Sequence, residues 1–207
     1  MKLMNTARTP TTTVHLLTTL STIVAILGAS THLYLFTAPA YDALTNAHSH
    51  NPYAHEFSRG TIAFFLGDNS ALPSLNERER THLYDVRTLI RTLAFLYTAS
   101  LLFLLWTADR MSATRCARTA GPTIIALGTL GALIPFDTLF TSFHALFFAP
   151  TTWTFPADSI LILTYPQAFF TDFFTLIMRT ALAISAIPHS GQIPGFSRRT
   201  SGCIGQV

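Results

Sequence analysis

Glu79, His82, Asp85 and Val86 stand at offsets of 0, +3, +6 and +7. On a helix that spacing sets an imidazole between two carboxylates on one face. An imidazole takes up or gives a proton near neutrality, and a flanking carboxylate can fix its ring, so the group suits general acid–base work. A second candidate pair, Asp137 and His144, lies a heptad apart in the run Phe136-Asp137-Thr138-Leu139-Phe140-Thr141-Ser142-Phe143-His144-Ala145-Leu146-Phe147-Phe148. Each group has a plain alternative: a solvated charged face for the first and a packed histidine for the second. What favours chemistry is that two histidines reach the same membrane interface independently, by the topology derived below.

Twelve aromatic residues fall between Phe136 and Phe174, Trp153, Phe155, Tyr165, Phe169 and Phe170 among them. An interfacial belt accounts for tryptophan and tyrosine. Phenylalanine has no polar tip to favour the headgroup layer, so this density equally suits a wall for lipid chains. His48, His50 and His55 form a short tract with no fixed helical spacing, read as surface histidines rather than a metal site. No phosphate loop, dinucleotide fingerprint or nucleophile elbow occurs, and no serine or cysteine nucleophile is evident. The expectation is therefore a site with no metal and no cofactor.

The elements that must carry these residues are membrane helices. Of the 207 residues, 49% are hydrophobic and only 11% charged, with a mean hydropathy of +0.39. Soluble domains carry about 25% charged residues. A water-soluble globule is excluded on that ground, and a disordered chain by the 12% aromatics. Four stretches, at about 14–36, 88–108, 122–141 and 169–187, are long and apolar enough to cross a hydrocarbon core of about 30 Å. Lys2 and Arg8, then Arg110, Arg115 and Arg118, then Arg198 and Arg199 flank these spans, while residues 142–168 hold no lysine or arginine. The positive-inside rule predicts cytoplasmic termini, with residues 37–87 and 142–168 outside. The net charge of +3 is thus a topology signal rather than a nucleic-acid footprint. Cys116 and Cys203 both fall on the cytoplasmic side, where a disulfide is not expected.

The whole chain reads as one integral membrane domain, 1–207. Residues 37–87 form an extracellular cap region between the first two spans, with a re-entrant or surface-lying element around Thr61-Ile62-Ala63-Phe64-Phe65-Leu66. Ser74-Leu75-Asn76-Glu77 has the capping-box form and predicts a helix from Leu75 to about Thr107, whose first turns stand outside the hydrocarbon. The first span is read as an uncleaved anchor, because its apolar run of about 23 residues exceeds the roughly 7 to 15 of a signal core. Leu27-Gly28-Ala29-Ser30 has the shape of a lipoprotein processing site but lacks the cysteine that would carry lipid.

Three blocks in order resemble a known family. Glu79-Arg80-Thr81-His82-Leu83-Tyr84-Asp85-Val86-Arg87 resembles its E-x-x-H-L-x-D-V-K element. The Phe136-to-Phe148 run with Trp153-x-Phe155-x-x-Asp158 resembles its second block, and Pro166-x-x-Phe169-Phe170-x-Asp172 its third. This is the four-span family that includes the lipoprotein intramolecular transacylase, and the likeness covers roughly residues 18–187. Arg87 stands where lysine is usual, which keeps the charge and changes the donor geometry.

The resemblance implies an all-α membrane protein, four transmembrane helices under a small extracellular cap, with both termini inside. It also implies acyl migration on a diacylglyceryl lipoprotein. The sn-2 chain would move to the α-amino group of the same N-terminal cysteine, leaving a lyso-form product. The partners implied are diacylglyceryl lipoproteins and membrane lipids, with no nucleic acid. His82 and His144 are the catalytic candidates. Glu79, Asp85, Arg87, Asp137, Phe140, Phe143, Trp153 and Asp158 are the orienting or substrate-contacting ones. The competing reading is a non-catalytic polytopic protein, a sensor, chaperone or transporter component, whose histidines are structural.

Overall fold

A chain this apolar must satisfy its backbone polar groups internally, which in lipid leaves helices or closed barrels. The computed structural model describes residues 12–71, 75–107 and 113–186, with no side-chain description for residues 38 and 113–119. Among them every regular element is helical: α1 (Thr12–Phe36), α2 (Ala38–His48), α3 (Ala54–Leu66), α4 (Glu77–Thr107), α5 (Ala113–Leu133), α6 (Phe136–Phe147), α7 (Ile160–Thr164) and α8 (Gln167–Ala186). The flanking charges at Lys2, Arg8, Arg110, Arg198 and Arg199 lie outside the described residues, as do Ser74 and Cys203.

Helices α1, α4 and α8 are each long and apolar enough to cross a membrane. Their threonines and serines do not defeat this, because the hydroxyls bond back into the helix. Thr18 donates to the Val14 carbonyl at 2.7 Å, Ser30 to Ile26 at 2.9 Å and Thr92 to Thr88 at 3.0 Å. None of the most apolar stretch of α4 is buried within the protein. Phe95, Leu102, Leu105 and Trp106 face outward instead, an apolar surface of the kind that meets lipid.

The expected third span over 122–141 is not one helix. It breaks between Leu133 and Phe136, and α5 and α6 meet at 110°. Pro135 is the cause: it offers no amide hydrogen and pushes Ile134 out of the helical region. Helix α5 has 21 residues, about 32 Å at 1.5 Å per residue, but it is apolar enough to cross only when counted together with α6. Helix α6, which carries His144, turns aside.

Helix α1 is the hub of the bundle and packs on α4, α5 and α8. Small residues let it do so. A Cβ at Gly28 would sit 2.6 Å from Cδ2 of Tyr97 on α4, so the α1–α4 contact admits nothing larger than glycine there. On the other side Ile23 packs with Ala120, Ile124 and Ala181.

Helices α2, α3 and α7 make a second layer over one end of the bundle. Its core is Tyr41, Leu44, Phe57, Phe64, Leu83, Leu161, Tyr165 and Phe169 with their neighbours. The apolar Thr61-to-Leu66 segment is thereby the last half of α3, with Phe64 and Phe65 turned into that core and Leu66 outward. The layer is stitched across the chain: the His50 amide donates to the Leu163 carbonyl at 2.7 Å, and Asn51 Nδ2 to Thr164 Oγ1 at 2.8 Å. Residues from both expected outer loops therefore share one core.

Candidate active site

The N-terminus of α4 sets the first histidine. The capping box that forms is Asn76 with Glu79, two residues beyond the expected Ser74–Glu77 pairing, and the helix begins at Glu77 rather than Leu75. The Glu79 amide donates to Asn76 Oδ1 at 2.9 Å, and the Asn76 amide donates to Glu79 Oε2 at 3.1 Å. Such a cap contributes about 1 kcal/mol to its helix. The remaining oxygen, Glu79 Oε1, accepts from the Ser159 hydroxyl at 2.6 Å. Both oxygens of this buried carboxylate are thus committed, and it does not bond His82.

His82 lies one turn further on. Its ring centroid is 6.0 Å from that of His144, the planes 23° apart. The edges of Phe148 and Phe155 close on it at 5.0 and 5.4 Å. His144 is packed by Phe140 at 4.1 Å, Trp153 at 4.9 Å, Phe148 at 5.4 Å and Phe143 at 5.5 Å. Both histidines are buried. His144 Nδ1 lies 2.7 Å from the Phe140 carbonyl oxygen. A carbonyl only accepts, so the neutral ring carries its proton on Nδ1 and its lone pair on Nε2.

Two polar atoms in this cluster, His82 Nδ1 and Trp153 Nε1, are buried with no hydrogen-bond partner among the described residues. Buried polar atoms are seldom left unpaired, and here one belongs to the His82 ring and the other to the indole packed on His144.

The segment from Ala149 to Ser159 closes over the pair and is held by α4. Arg78 Nε donates to the Thr151 carbonyl at 2.7 Å and its Nη2 to Thr154 Oγ1 at 3.0 Å, with the guanidinium 5.8 Å from the Phe155 ring. Ser159 locks the far end on Glu79 and also caps α7 by accepting from the Leu161 amide. Arg78 and Ser159 were not candidates from the sequence; Phe148 and Phe155 stood in the aromatic run and the second block without an individual role. The only local signal was the serine ahead of an apolar run, which marks a helix start but not its partner.

Of the candidate residues, His82, His144, Phe140, Phe143 and Trp153 come together, and Glu79 supports them from behind. Asp85 is half-buried one turn beyond His82 and makes no hydrogen bond among the described residues. Arg87 points elsewhere: it is buried, its guanidinium lies 4.6 Å from the Phe64 ring, and Nη1 donates to Asn69 Oδ1 at 2.6 Å. Asp137 accepts from Gln167 Nε2, tying the start of α6 to α8, and Asp158 is exposed. His48 pairs with Asp172 at 2.8 Å and His55 with Asp42 at 3.3 Å, so the histidine tract spreads over two partners. No cluster with metal-binding geometry occurs among the described residues.

His82 stands on the first turns of α4, before residue 88 and the apolar run that follows, whereas His144 lies on α6, one arm of the bent α5–α6 pair that is long and apolar enough to cross a membrane only when both arms are counted. Burial pushes His82 from the usual 6.5 down to about 4, and repulsion from a protonated His144 adds to this. At neutral pH the His82 ring is therefore uncharged. The unfolded chain takes up protons below 6.5 while folded His82 resists them, so this stabilisation is full above 6.5 and is lost as pH falls toward 4. We expect thermal unfolding midpoints to drop between about pH 6.5 and 4.5; a flat profile over that range would mean that His82 is not buried in the folded protein.

The comparisons with known proteins bear on this arrangement. The model of the family described as lipoprotein intramolecular transacylase Lit matches residues 11–170. Among solved structures, the membrane-integral lipoprotein intramolecular transacylase Lit from Bacillus cereus superposes with a TM-score of 0.67 at 18% identity, covering 84% of this chain and 89% of that one. Two variants of the same Bacillus cereus protein, a histidine replaced by arginine in one and by alanine in the other, give 0.61 and 0.62 at 17% identity. Both cover 84% of this chain, with 86% and 87% of theirs. At that identity the structural likeness speaks for the fold alone. No curated protein matches the sequence closely enough to count as a relative. The family match spans well over half of the chain, which removes the non-catalytic reading. The chain belongs to the lipoprotein intramolecular transacylase family and is a multi-pass membrane acyltransferase.

Proposed function

We propose that this protein moves the sn-2 acyl group of a diacylglyceryl-modified lipoprotein onto the α-amino group of the same N-terminal cysteine, on the extracellular face of the membrane. The observation that carries this reading is the buried His82–His144 pair, with two unpaired polar atoms beside it. An α-amino group titrates at about 7.7 to 8.0, so some neutral amine is present near neutrality. Its nitrogen attacks the ester carbonyl, the N–C bond forms and one N–H proton is lost. His144 Nε2, whose lone pair is fixed by the Nδ1–Phe140 bond, accepts that proton. The ester C–O bond then breaks, and the pair delivers the same proton to the glyceryl oxygen. Amine and ester become amide and alcohol with no net change of protons.

No acyl-enzyme is needed, because nucleophile and ester belong to one substrate. Holding them in register supplies effective molarities of about 10⁵ to 10⁸ M, and the rings of Phe140, Phe143, Phe148 and Phe155 are the holding surface. Asp85, on the same face of α4 as His82, is an orienting group for that ring when substrate is bound. Arg87, Asp137 and Asp158 act at a distance from the reacting atoms, Arg87 by fixing the segment that contains Asn69.

Expression in a host whose lipoproteins are only diacylated should yield N-acylated, lyso-form N-termini, read by mass spectrometry of N-terminal lipopeptides. Unchanged masses, with the protein present in the membrane, would reject the reading. Orientation is tested separately. A cysteine at exposed Ala157 should react with an impermeant thiol reagent on intact cells, and Cys116 should not. Ser159 is unsuitable as the probe, because it is buried against Glu79. Labelling of Cys116 from outside would put the pair on the wrong face for an exported lipoprotein.

A further inference from the structure

Between α1, α5, α6 and α8 lies a cleft of about 310 Å³, at the lower edge of the roughly 300 to 1,000 Å³ typical of ligand sites. Its walls are wholly apolar, with Leu27 from α1, Ile124 and Leu130 from α5, Leu139 from α6, and Phe174 and Met178 from α8. Glycine opens it. A Cβ at Gly131 would touch Phe174 Cζ at 3.5 Å, and one at Gly128, a turn earlier, would press on Met178 Cε at 3.1 Å. A glycine inside a helix is unfavourable, and here two of them thin the α5 wall facing α8.

A row of packed rings links the wall of the cleft to the candidate active site. Phe174, on its wall, packs on Phe136 at 6.4 Å; Phe136 packs on Phe140 at 6.1 Å; Phe140 stacks on His144 at 4.1 Å. Leu139, also on the wall, is five residues before His144 on α6, about 8 Å along the axis. A chain whose first carbon is held at the histidines therefore has a run of apolar side chains, Phe140, Phe136 and Phe174, to follow toward the cleft.

We propose that this cleft holds the tail of the migrating sn-2 acyl chain and that Gly131 sets how long that chain can be. The proposal rests on the transacylase reading and adds to it a binding subsite and a specificity-determining position. The ridge from Phe174 to His144 picks the chain whose carbonyl reacts rather than a bulk lipid, which would have no reason to end at the pair.

The test uses the full chain in phosphatidylglycerol–phosphatidylethanolamine vesicles. A synthetic diacylglyceryl lipopeptide with a diazirine at the end of its sn-2 chain is photolysed and the cross-linked peptides are mapped. Labelling should concentrate on α5 and α8 around Leu130 and Met178, and excess unlabelled lipopeptide should displace it where added phospholipid does not. Each buried methylene is worth about fourfold. Gly131→Phe should therefore lower kcat/KM for a hexadecanoyl sn-2 chain on the order of tenfold and leave an octanoyl chain within about twofold. Gly131→Ala, whose Cβ makes only ordinary contact with Phe174, should keep the unfolding midpoint and shift the preference in the same direction as Gly131→Phe, by less. If Gly131→Phe does not fold, Met178→Trp fills the cleft from the α8 side and should shift the preference the same way.

Labelling spread equally over lipid-facing α4, displacement by phospholipid, or an unchanged chain preference in the filled variants would overturn the cleft as the acyl site. Focused, competed labelling without any N-acylated product would instead keep the cleft and overturn the transacylase reading.

Discussion

Alanine at His82 or at His144 is expected to lower lipopeptide transacylation by about 10² to 10⁴ each, the range for loss of a positioned acid–base group, with little further loss in the double variant. The rings are 6.0 Å apart and share the same aromatic walls. If one proton passes between substrate nitrogen and oxygen through both, removing either interrupts the same step, and effects of that kind are strongly non-additive. Truncating a packed ring also destabilises, so activity must be read on protein whose unfolding midpoint is known. His144→Asn, whose Nδ2 sits where the ring Nδ1 did and can donate to the Phe140 carbonyl, should fold normally and still fail. Asp85→Asn should be milder than either alanine variant, because on the proposed reading it would affect ring orientation alone. Near wild-type turnover in a folded His144→Ala protein would reduce the second histidine to a packing residue and end the two-histidine mechanism.

Trp153→Phe is expected to lower kcat by about 10² to 10³, the cost of removing one donor to a developing oxyanion, with KM little changed. Trp153 Nε1 is a buried donor without an acceptor, on a ring 4.9 Å from His144. On the proposed reaction the ester carbonyl oxygen would gain negative charge as the amine attacks, and a donor already held beside the pair would need no reorganisation. Phenylalanine keeps an aromatic ring against His144 but removes the N–H together with part of the indole's bulk. An unpaired buried N–H costs about 1 to 3 kcal/mol, which offsets part of the packing lost with the smaller ring, so the unfolding midpoint should change little while kcat falls. A folded variant with full activity would show that the indole N–H meets no substrate.

The membrane class and the limits of α1, α4 and α8 were legible in the sequence to within about two residues. Lipid leaves the backbone no partner but itself, so any apolar run of sufficient length must be a helix, and the ends of α1 and α4 at Phe36 and Thr107 fall where hydropathy ends. The three motif blocks carried the family, and with it both histidines, because side-chain identity at fixed spacing is a property of the chain alone. Pro135 was equally visible, yet its effect was not: Pro122 sits inside α5 without ending it, whereas Pro135 ends the helix and turns α6 by 110°. A proline only removes one donor and biases one residue, and whether the helix resumes in line depends on what packs behind it.

The tertiary structure also decided what each carboxylate does. Glu79 shares a helical face with His82 but is taken by Asn76 and by Ser159, 80 residues away, and Arg87 turns to Phe64 and Asn69. Helical spacing fixes the direction in which a side chain leaves the axis and nothing about what waits there. His82 and His144 meet only because α6 turns aside at Pro135 while Arg78 and Ser159 hold residues 149–159 across α4. The sequence by itself determined the membrane class and family; the meeting of the two rings was decided by contacts between distant segments, which leave no local pattern to read.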